Sequence, residues 1–512
     1  MRIDVPRPKA TPALLAGLVA VALTAGPILA HRFLPLVDLP NHIARHAIAA
    51  DPDGPLSLYY QIGPLALPNS AVDMLWALLG HSGDVIRFST YSFALYAALL
   101  IIATMVLGRV IWGRFSPWHA ASGLFVYSNS FFWGFENFLF TIPFALLAMA
   151  LWLVVAAWPT RFRLLIFLPV AAGIYFMHIF AFLGLAIAAV GHEGQALYAA
   201  RGARWAQFRA RLPMALPFAL PIGWMVIHSP PGAHGITQMT PLLKRTEMLT
   251  LAFQAPRSDL LHPLNLSGYA VQALLLVLMM AVLLRRSKTV VLNCRMVGPL
   301  AALAAATLLS PTWLNGASYV HIRLPVLLFP AFLASTDLRA LTARGKKLIA
   351  LAVFSLMLTR GLLFERLAAG HTAEMGDLAA TLAPLPPQSR LLAVRGHGNQ
   401  WRDVQLVHAV AYAVVWQQAF VPTLFQGAHS LVVRPQWLSS TKTDLYAVDE
   451  CRLADLDCDA PGERPEFIAD WQRKFTHVLL EDKDPQFLGN IPALRRVAGQ
   501  GRFTLYEVIP QP

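Results

Sequence analysis

Long apolar stretches separated by short arginine-rich clusters fill the first two thirds of the chain. A run of about 17–25 apolar residues can cross a bilayer as a helix, because a helix satisfies its own backbone polar groups. Eleven runs reach or approach that length: 11–30, 88–107, 117–133, 138–158, 164–177, 179–197, 212–227, 268–284, 296–310, 324–338 and 348–364. The first has the basic lead-in of a signal peptide (Arg2, Arg7, Lys9), but no clean Ala-x-Ala cleavage site follows, so it reads as an uncleaved span. Beyond residue 365 the pattern turns mixed, with a helix expected at 373–382, a strand at 390–394, a helix at 403–416 and a strand at 476–481. The pattern therefore predicts an all-α polytopic membrane domain over 1–365, with about eleven transmembrane helices and surface helices in its first outer loop. A small α/β extracytoplasmic domain follows over 366–512.

Composition agrees. Of 512 residues, 56% are hydrophobic and 13% charged, against about 25% charged in soluble chains, and the mean hydropathy is +0.52. An ordinary soluble enzyme, a disordered chain and a disulfide scaffold are excluded. The net charge of +13 is uneven: residues 1–365 hold 27 basic and 12 acidic residues, the remainder 14 and 16. A basic excess confined to the apolar part speaks of membrane orientation, and no nucleic-acid partner is expected. With the N-terminus inside, 19 of those 27 basic residues fall in cytoplasmic segments, as the positive-inside rule requires. The stretch between Arg163 and Arg201 then becomes a two-span hairpin with its tip at His178. An odd number of spans places the tail outside the cytoplasmic (inner) membrane. Cys451 and Cys458 lie seven apart in that tail, where a disulfide or two reduced thiols are both compatible with the spacing. Cys294 reads as a free thiol.

Ionisable residues at a membrane boundary are costly unless they meet water or a partner. The densest group follows the first span, in Pro35-Leu36-Val37-Asp38-Leu39-Pro40-Asn41-His42, continuing to Arg45 and His46. Pro40 suits a first helical turn, and the spacing predicts a short amphipathic helix on the membrane surface. Asp38 at its edge either caps that helix or does chemistry. A second amphipathic helix begins at Pro68-Asn69-Ser70 and carries Asp73, read as a solvated or capping residue. Glu136 stands in the turn Gly134-Phe135-Glu136-Asn137-Phe138-Leu139, and Arg323 at the mouth of the tenth span in Tyr319-Val320-His321-Ile322-Arg323-Leu324-Pro325.

The order of these features resembles the GT-C-fold integral membrane glycosyltransferases, in particular the bacterial polyprenyl-phosphate-sugar-using type. The likeness rests on the long first outer loop with its acid just after span one, Leu67-Pro68-Asn69, the Glu136 turn, the His178 hairpin and the outer C-terminal domain. It implies that Asp38, as the first-loop acid, activates the acceptor or helps bind a divalent ion. A carboxylate there suits a general base, and the departing lipid phosphate needs cations. Arg323 is the leading phosphate ligand, through its fork of donors, or else a snorkelling anchor. Lys244 and Arg245 are a weaker phosphate site, or a solvated charge pair. His178 is either a hydrogen-bonding partner for phosphate or Asp38 or a structural cap at the hairpin tip, and His42, one turn from Pro40, either orients Asp38 or an acceptor or is structural. Glu136 is either a carboxylate among interface aromatics or a second acid, able with Asp38 to ligate Mg²⁺ or Mn²⁺. The expected partners are a lipid-linked sugar donor, membrane lipids, and an acceptor that is a lipid, a glycan or a protein. The rival readings are a secondary transporter and a non-catalytic component of a polysaccharide export or assembly system. Nine of the 12 acids in 1–365 fall in outer loops on this topology, which favours chemistry at the outer face over a midplane transport site.

Overall fold

The computed structural model describes residues 11–63, 68–200, 202–228, 237–239, 241, 252–256, 259, 261–283, 289–315, 317–339, 341–396, 403–427, 431–441, 448–454, 466–482 and 487–510. The helices of its apolar part are α1 (Thr11–Ala30), α2 (Leu39–Ala50), α3 (Ala71–Leu78), α4 (Val85–Trp112), α5 (Asn129–Phe132), α6 (Glu136–Val154), α7 (Thr160–Met177), α8 (Ile179–Ala199), α9 (Arg204–Arg211), α10 (Leu216–His228), α11 (Pro263–Leu283), α12 (Val297–Leu309), α13 (Leu324–Ala334) and α14 (Ala343–Leu382). Eight stretches among the described residues are long and apolar enough to cross a membrane: α1, α4, α6, α7, α8, the joined α9–α10 stretch, α11 and α14. The shorter apolar helices α12 and α13 fill two more of the expected runs.

Local chemistry sets several boundaries. Asp84 starts α4 by accepting from the backbone N–H of Ile86 and Arg87, and Gly113, at φ 72°, ends it in a left-handed turn. The outer helices leave leucines on their free faces, among them Leu15 and Leu18 of α1 and Leu351 and Leu362 of α14, which lipid tolerates as water would not.

One expected span is not an α-helix. Residues 117–133 form a 3₁₀ helix (Pro117–Phe125), a turn and the one-turn α5. Everything from His119 to Pro143 is buried, and the segment packs against α1, α4, α13 and α14. An element enclosed on every side shows the same unbroken apolar composition as a span, so hydropathy alone does not separate the two. Arg360, buried within α14, fastens this segment by donating to the carbonyls of Tyr127 and Phe253 and to the Ser267 hydroxyl of α11.

The tail is bound to the first loop. Strand β1 (Tyr60–Ile62) pairs antiparallel with residues 431–433 of the tail, Tyr60 opposite Val433. A short bridge elsewhere joins β2 (Val291–Leu292) to β3 (Thr336–Asp337). In the tail, β4 (Leu391–Arg395), β5 (Leu431–Val433), β6 (Val448–Asp449), β7 (His477–Glu481), β8 (Leu494–Gln500) and β9 (Phe503–Val508) follow in order. All but β5 form a mixed sheet ordered β6-β4-β7-β9-β8, with β4 parallel to both its neighbours and the last two pairs antiparallel. The helix expected at 373–382 is the end of α14, which runs through residue 365 without a break. The helix expected at 403–416 is two 3₁₀ turns and a short α-helix at Tyr412–Gln417. The second of these turns and the short helix pack on α2, so α2 is not a surface helix: Leu39, Ile43, Ala44, Arg45, His46 and Ile48 are all buried. The amphipathic pattern is real, but its polar face meets protein, not water. Surface character belongs instead to α3, where Met74 and Leu78 are exposed. Cys451 is disulfide-bonded and Cys294 is free; Cys458 lies outside the described residues.

Candidate functional site

The loop that carries Asp38 is held by backbone. Val37 and Asp38 donate their N–H groups to the carbonyls of Phe132 (3.0 Å) and Trp133 (2.9 Å) at the end of α5. That approach requires Gly134: its φ is +77°, and a Cβ there would lie 3.0 Å from the Leu39 nitrogen and 3.1 Å from that of Asp38. Pro40 starts α2 as expected, and Asp38 occupies the N-cap position, yet its side chain makes no capping hydrogen bond. The carboxylate instead lines a cavity of about 220 Å³. Burial pushes its pKa up to about 7, with the Arg323 guanidinium pulling the other way. From the tail, His408 brings Nε2 to 3.8 Å from Asp38 Oδ1, and burial, then Arg395, holds that imidazole down to about 3.

Arg323 lines the same cavity. Its guanidinium lies 3.9 Å from the ring centre of Phe135 and 5.1 and 5.5 Å from those of Phe180 and Phe138, and it donates to the Ser318 carbonyl. Three aromatic faces hold the cation through cation–π attraction, and among the described residues it makes no ion pair. A cation fixed in this way, with donors facing a cavity, is built to receive an anion.

Three more expected residues complete the wall. Glu136, the first residue of α6, accepts from Ser92 at 2.7 Å, and its other oxygen lies 4.0 Å from His46 Nε2. His178 does double duty. Its Nδ1 accepts from the Phe180 N–H and so caps α8, which leaves Nε2 as the protonated nitrogen of a neutral ring. His42 accepts at Nδ1 from Arg45 (3.1 Å), with burial and then Arg45 keeping it well below its ordinary pKa. Lys244 and Arg245 lie outside the described residues. Asp38 and His42 at the start of α2, Glu136, His178 and Arg323 thus come from four separated segments to one cavity.

The structure adds what single segments concealed. Arg45 and Asp73, 28 residues apart, form a two-pronged pair at 2.7 and 3.0 Å. Asn137 donates to Asp73 at 3.0 Å, and His46 lies 3.5 Å from it. Asp73 is therefore neither solvated nor a cap. Burial raises its pKa, but Arg45 and His46 outweigh that and hold it well below the ordinary range. Asn69, Phe425 and Gln426 also line the cavity, the last two contributed by the tail. No group of three or more His, Cys, Asp or Glu side chains positioned to hold a metal ion is found among the described residues.

No family model matches the sequence, and no curated protein matches it. Two solved structures do. ArnT from Cupriavidus metallidurans bound to undecaprenyl phosphate superposes with a TM-score of 0.54 at 13% identity, over 98% of this chain and 100% of that one. The same protein in its apo state gives 0.53 at 14% identity, over 97% and 99%. The likeness runs from the first span through the tail sheet, and at this identity it speaks for architecture: the chain is a membrane protein with the GT-C fold.

Proposed function

We propose that the protein is a membrane glycosyltransferase that moves a sugar from a polyprenyl-phosphate donor to an acceptor lipid, glycan or protein at the outer face of the cytoplasmic membrane. The observation that carries this reading is the meeting of Asp38 and Arg323 in one cavity, the acid unused for capping and the cation without an ion pair among the described residues. The acceptor's nucleophilic hydroxyl or amine attacks the anomeric carbon while the bond from that carbon to the phosphate oxygen breaks, its electron pair leaving with the lipid phosphate. Asp38 takes the acceptor's proton, and a pKa near 7 suits a base working at neutral pH. Arg323, held by its aromatic box, receives the developing phosphate charge, with the Nε2–H of His178 as a second donor. One displacement inverts the anomeric centre. A Mg²⁺ or Mn²⁺ ion accompanying the phosphate would meet Asp38 and Glu136. The undecaprenyl phosphate bound to ArnT supports a lipid-linked donor.

A secondary transporter fits less well. Glu193 and Asp337, two of the three acids not expected in outer loops, are ion-paired at the end of the bundle away from the cavity, Glu193 with Arg163 and Arg211 and Asp337 with Arg114 and Arg339. A non-catalytic assembly component would have no use for an acid held uncapped beside a boxed arginine. Purified protein in vesicles containing a polyprenyl-phosphate sugar should transfer the sugar to an added acceptor extract, and Asp38→Asn should lower turnover by about 10²- to 10⁴-fold while melting no lower than wild type at neutral pH. Asn can still occupy an N-cap, so wild-type turnover by a folded Asp38→Asn protein would end the proposal.

A further inference from the structure

A second charged cavity lies at the other end of the bundle. Asp337 is buried and receives two guanidinium groups, Arg114 at 2.6 Å and Arg339 at 2.7 Å. Arg339 also lies over the Trp112 ring, 4.8 Å from its centre. Beside them opens a crevice of about 180 Å³, lined on its polar side by Arg114, Asp337 and Lys346 and on its apolar side by Trp118, Val353 and Phe354. The Trp118 indole is fixed at the rim by its bond to the Thr336 hydroxyl. Arg114 and Lys346 against Asp337 leave a net charge of +1 over the apolar floor, and Arg339, bonded to Asp337 outside the crevice, raises the cluster to +2.

Depth in the membrane identifies the ligand class. Ser92, which bonds Glu136 at the Asp38 cavity, lies two turns into α4, and Trp112, which underlies Arg339, is its last residue. Helical rise separates them by about 30 Å, the thickness of a bilayer's hydrocarbon core. The crevice therefore sits at headgroup level of the opposite membrane face, where indole rings and basic side chains gather. Next to it on α14 the exposed leucines Leu351 and Leu358 face outward. An excess of positive charge at headgroup depth, with an apolar floor and an apolar helix face leading away, matches a phosphate headgroup carrying acyl chains.

We propose that this crevice binds an anionic phospholipid, its phosphate against Arg114 and Lys346 and its chains along α14. The site is independent of the sugar-transfer reading. The test is native mass spectrometry of the full-length purified protein with phosphatidylglycerol or phosphatidylcholine of identical chains, with thermal stability confirming that each variant is folded. Wild type should retain one phosphatidylglycerol in preference to phosphatidylcholine. Lys346→Glu, which reverses the exposed charge, and Ala350→Trp, which fills the crevice without altering charge, should each lower that preference about tenfold. Equal retention of the two lipids by wild type would overturn the site. So would loss in the charge variant alone, which is diffuse surface attraction, or loss in the tryptophan variant alone, which is apolar contact without headgroup recognition. Displacement of the lipid by equimolar free glycerol phosphate would overturn it too, by showing that the chains contribute nothing.

Discussion

Asp38 and Arg323, the proposed base and phosphate ligand, owe their properties to burial and to each other's charge. Because Asp38 works as a base only when ionised, kcat/KM should rise with pH and level off above about 7. Stability should run the other way. The folded chain holds the Asp38 proton up to about pH 7, the unfolded chain only to about 3.8, so this residue's contribution falls as pH rises through that window. Rate and melting profiles of wild type and Asp38→Asn over pH 4–9 check both signs, and a flat rate profile would remove Asp38 from the chemistry. At Arg323, substitution by Lys keeps the charge and loses the fork. Arg323→Lys should retain part of the activity, while Arg323→Ala should lose about 10²-fold or more in kcat/KM; equal wild-type rates for both would make the residue an anchor. Asp73 has a structural task. Asp73→Ala strands Arg45 in a buried site, at a cost of about 3–5 kcal/mol that thermal melting would register. Asp38, Glu136 and Arg323 were legible in the sequence because a charge stands out in an apolar background. The Arg45–Asp73 pair was not, since each partner sits on its own helix and no local pattern joins residues 28 apart. His408 and Phe425 were hidden for the same reason, lying in a tail whose docking surface no periodicity reveals.

At the scale of elements, the cavity depends on irregular backbone between regular helices. Among the described residues the apolar runs predicted the position of every long helix, because lipid imposes a length and a composition together. They mistook 117–133 for a further helix because protein, not lipid, surrounds it. That 3₁₀ stretch ends at α5, whose last carbonyls hold the Asp38 loop, so the least predictable backbone positions the most predictable acid. Gly134 is the hinge of this arrangement. Gly134→Ala would need a Cβ within 3.1 Å of two backbone nitrogens in a left-handed conformation. The expected result is a protein that folds with a displaced Asp38 loop, its kcat falling at least about tenfold, since small misplacements of a catalytic group are costly. Wild-type kcat in Gly134→Ala would show that the loop does not need this close approach.

For the molecule as a whole, the tail and the membrane body act as one construction. β1 of the first loop pairs with β5 of the tail, and Phe425 packs against both His42 and His408, so the cavity is closed by residues far apart in the sequence. The proposed membrane orientation is most directly tested at α14. Its 40 residues span about 60 Å at 1.5 Å per residue, twice the hydrocarbon core, so a single crossing leaves its two ends on opposite sides. Its first turns carry Arg344, Lys346 and Lys347 and its far end leads into the tail sheet, and the positive-inside rule then favours the proposed arrangement, with Lys347 in the cytoplasm and the Asp38 cavity outside. In a Cys294→Ser background, Lys347→Cys and Pro387→Cys place thiols at exposed positions near either end. A membrane-impermeant maleimide applied to intact spheroplasts should label Pro387→Cys and spare Lys347→Cys until the membrane is opened. Labelling of Lys347→Cys alone would invert the molecule and move the proposed reaction to the cytoplasmic face; labelling of both without permeabilisation would mean that α14 does not cross the bilayer.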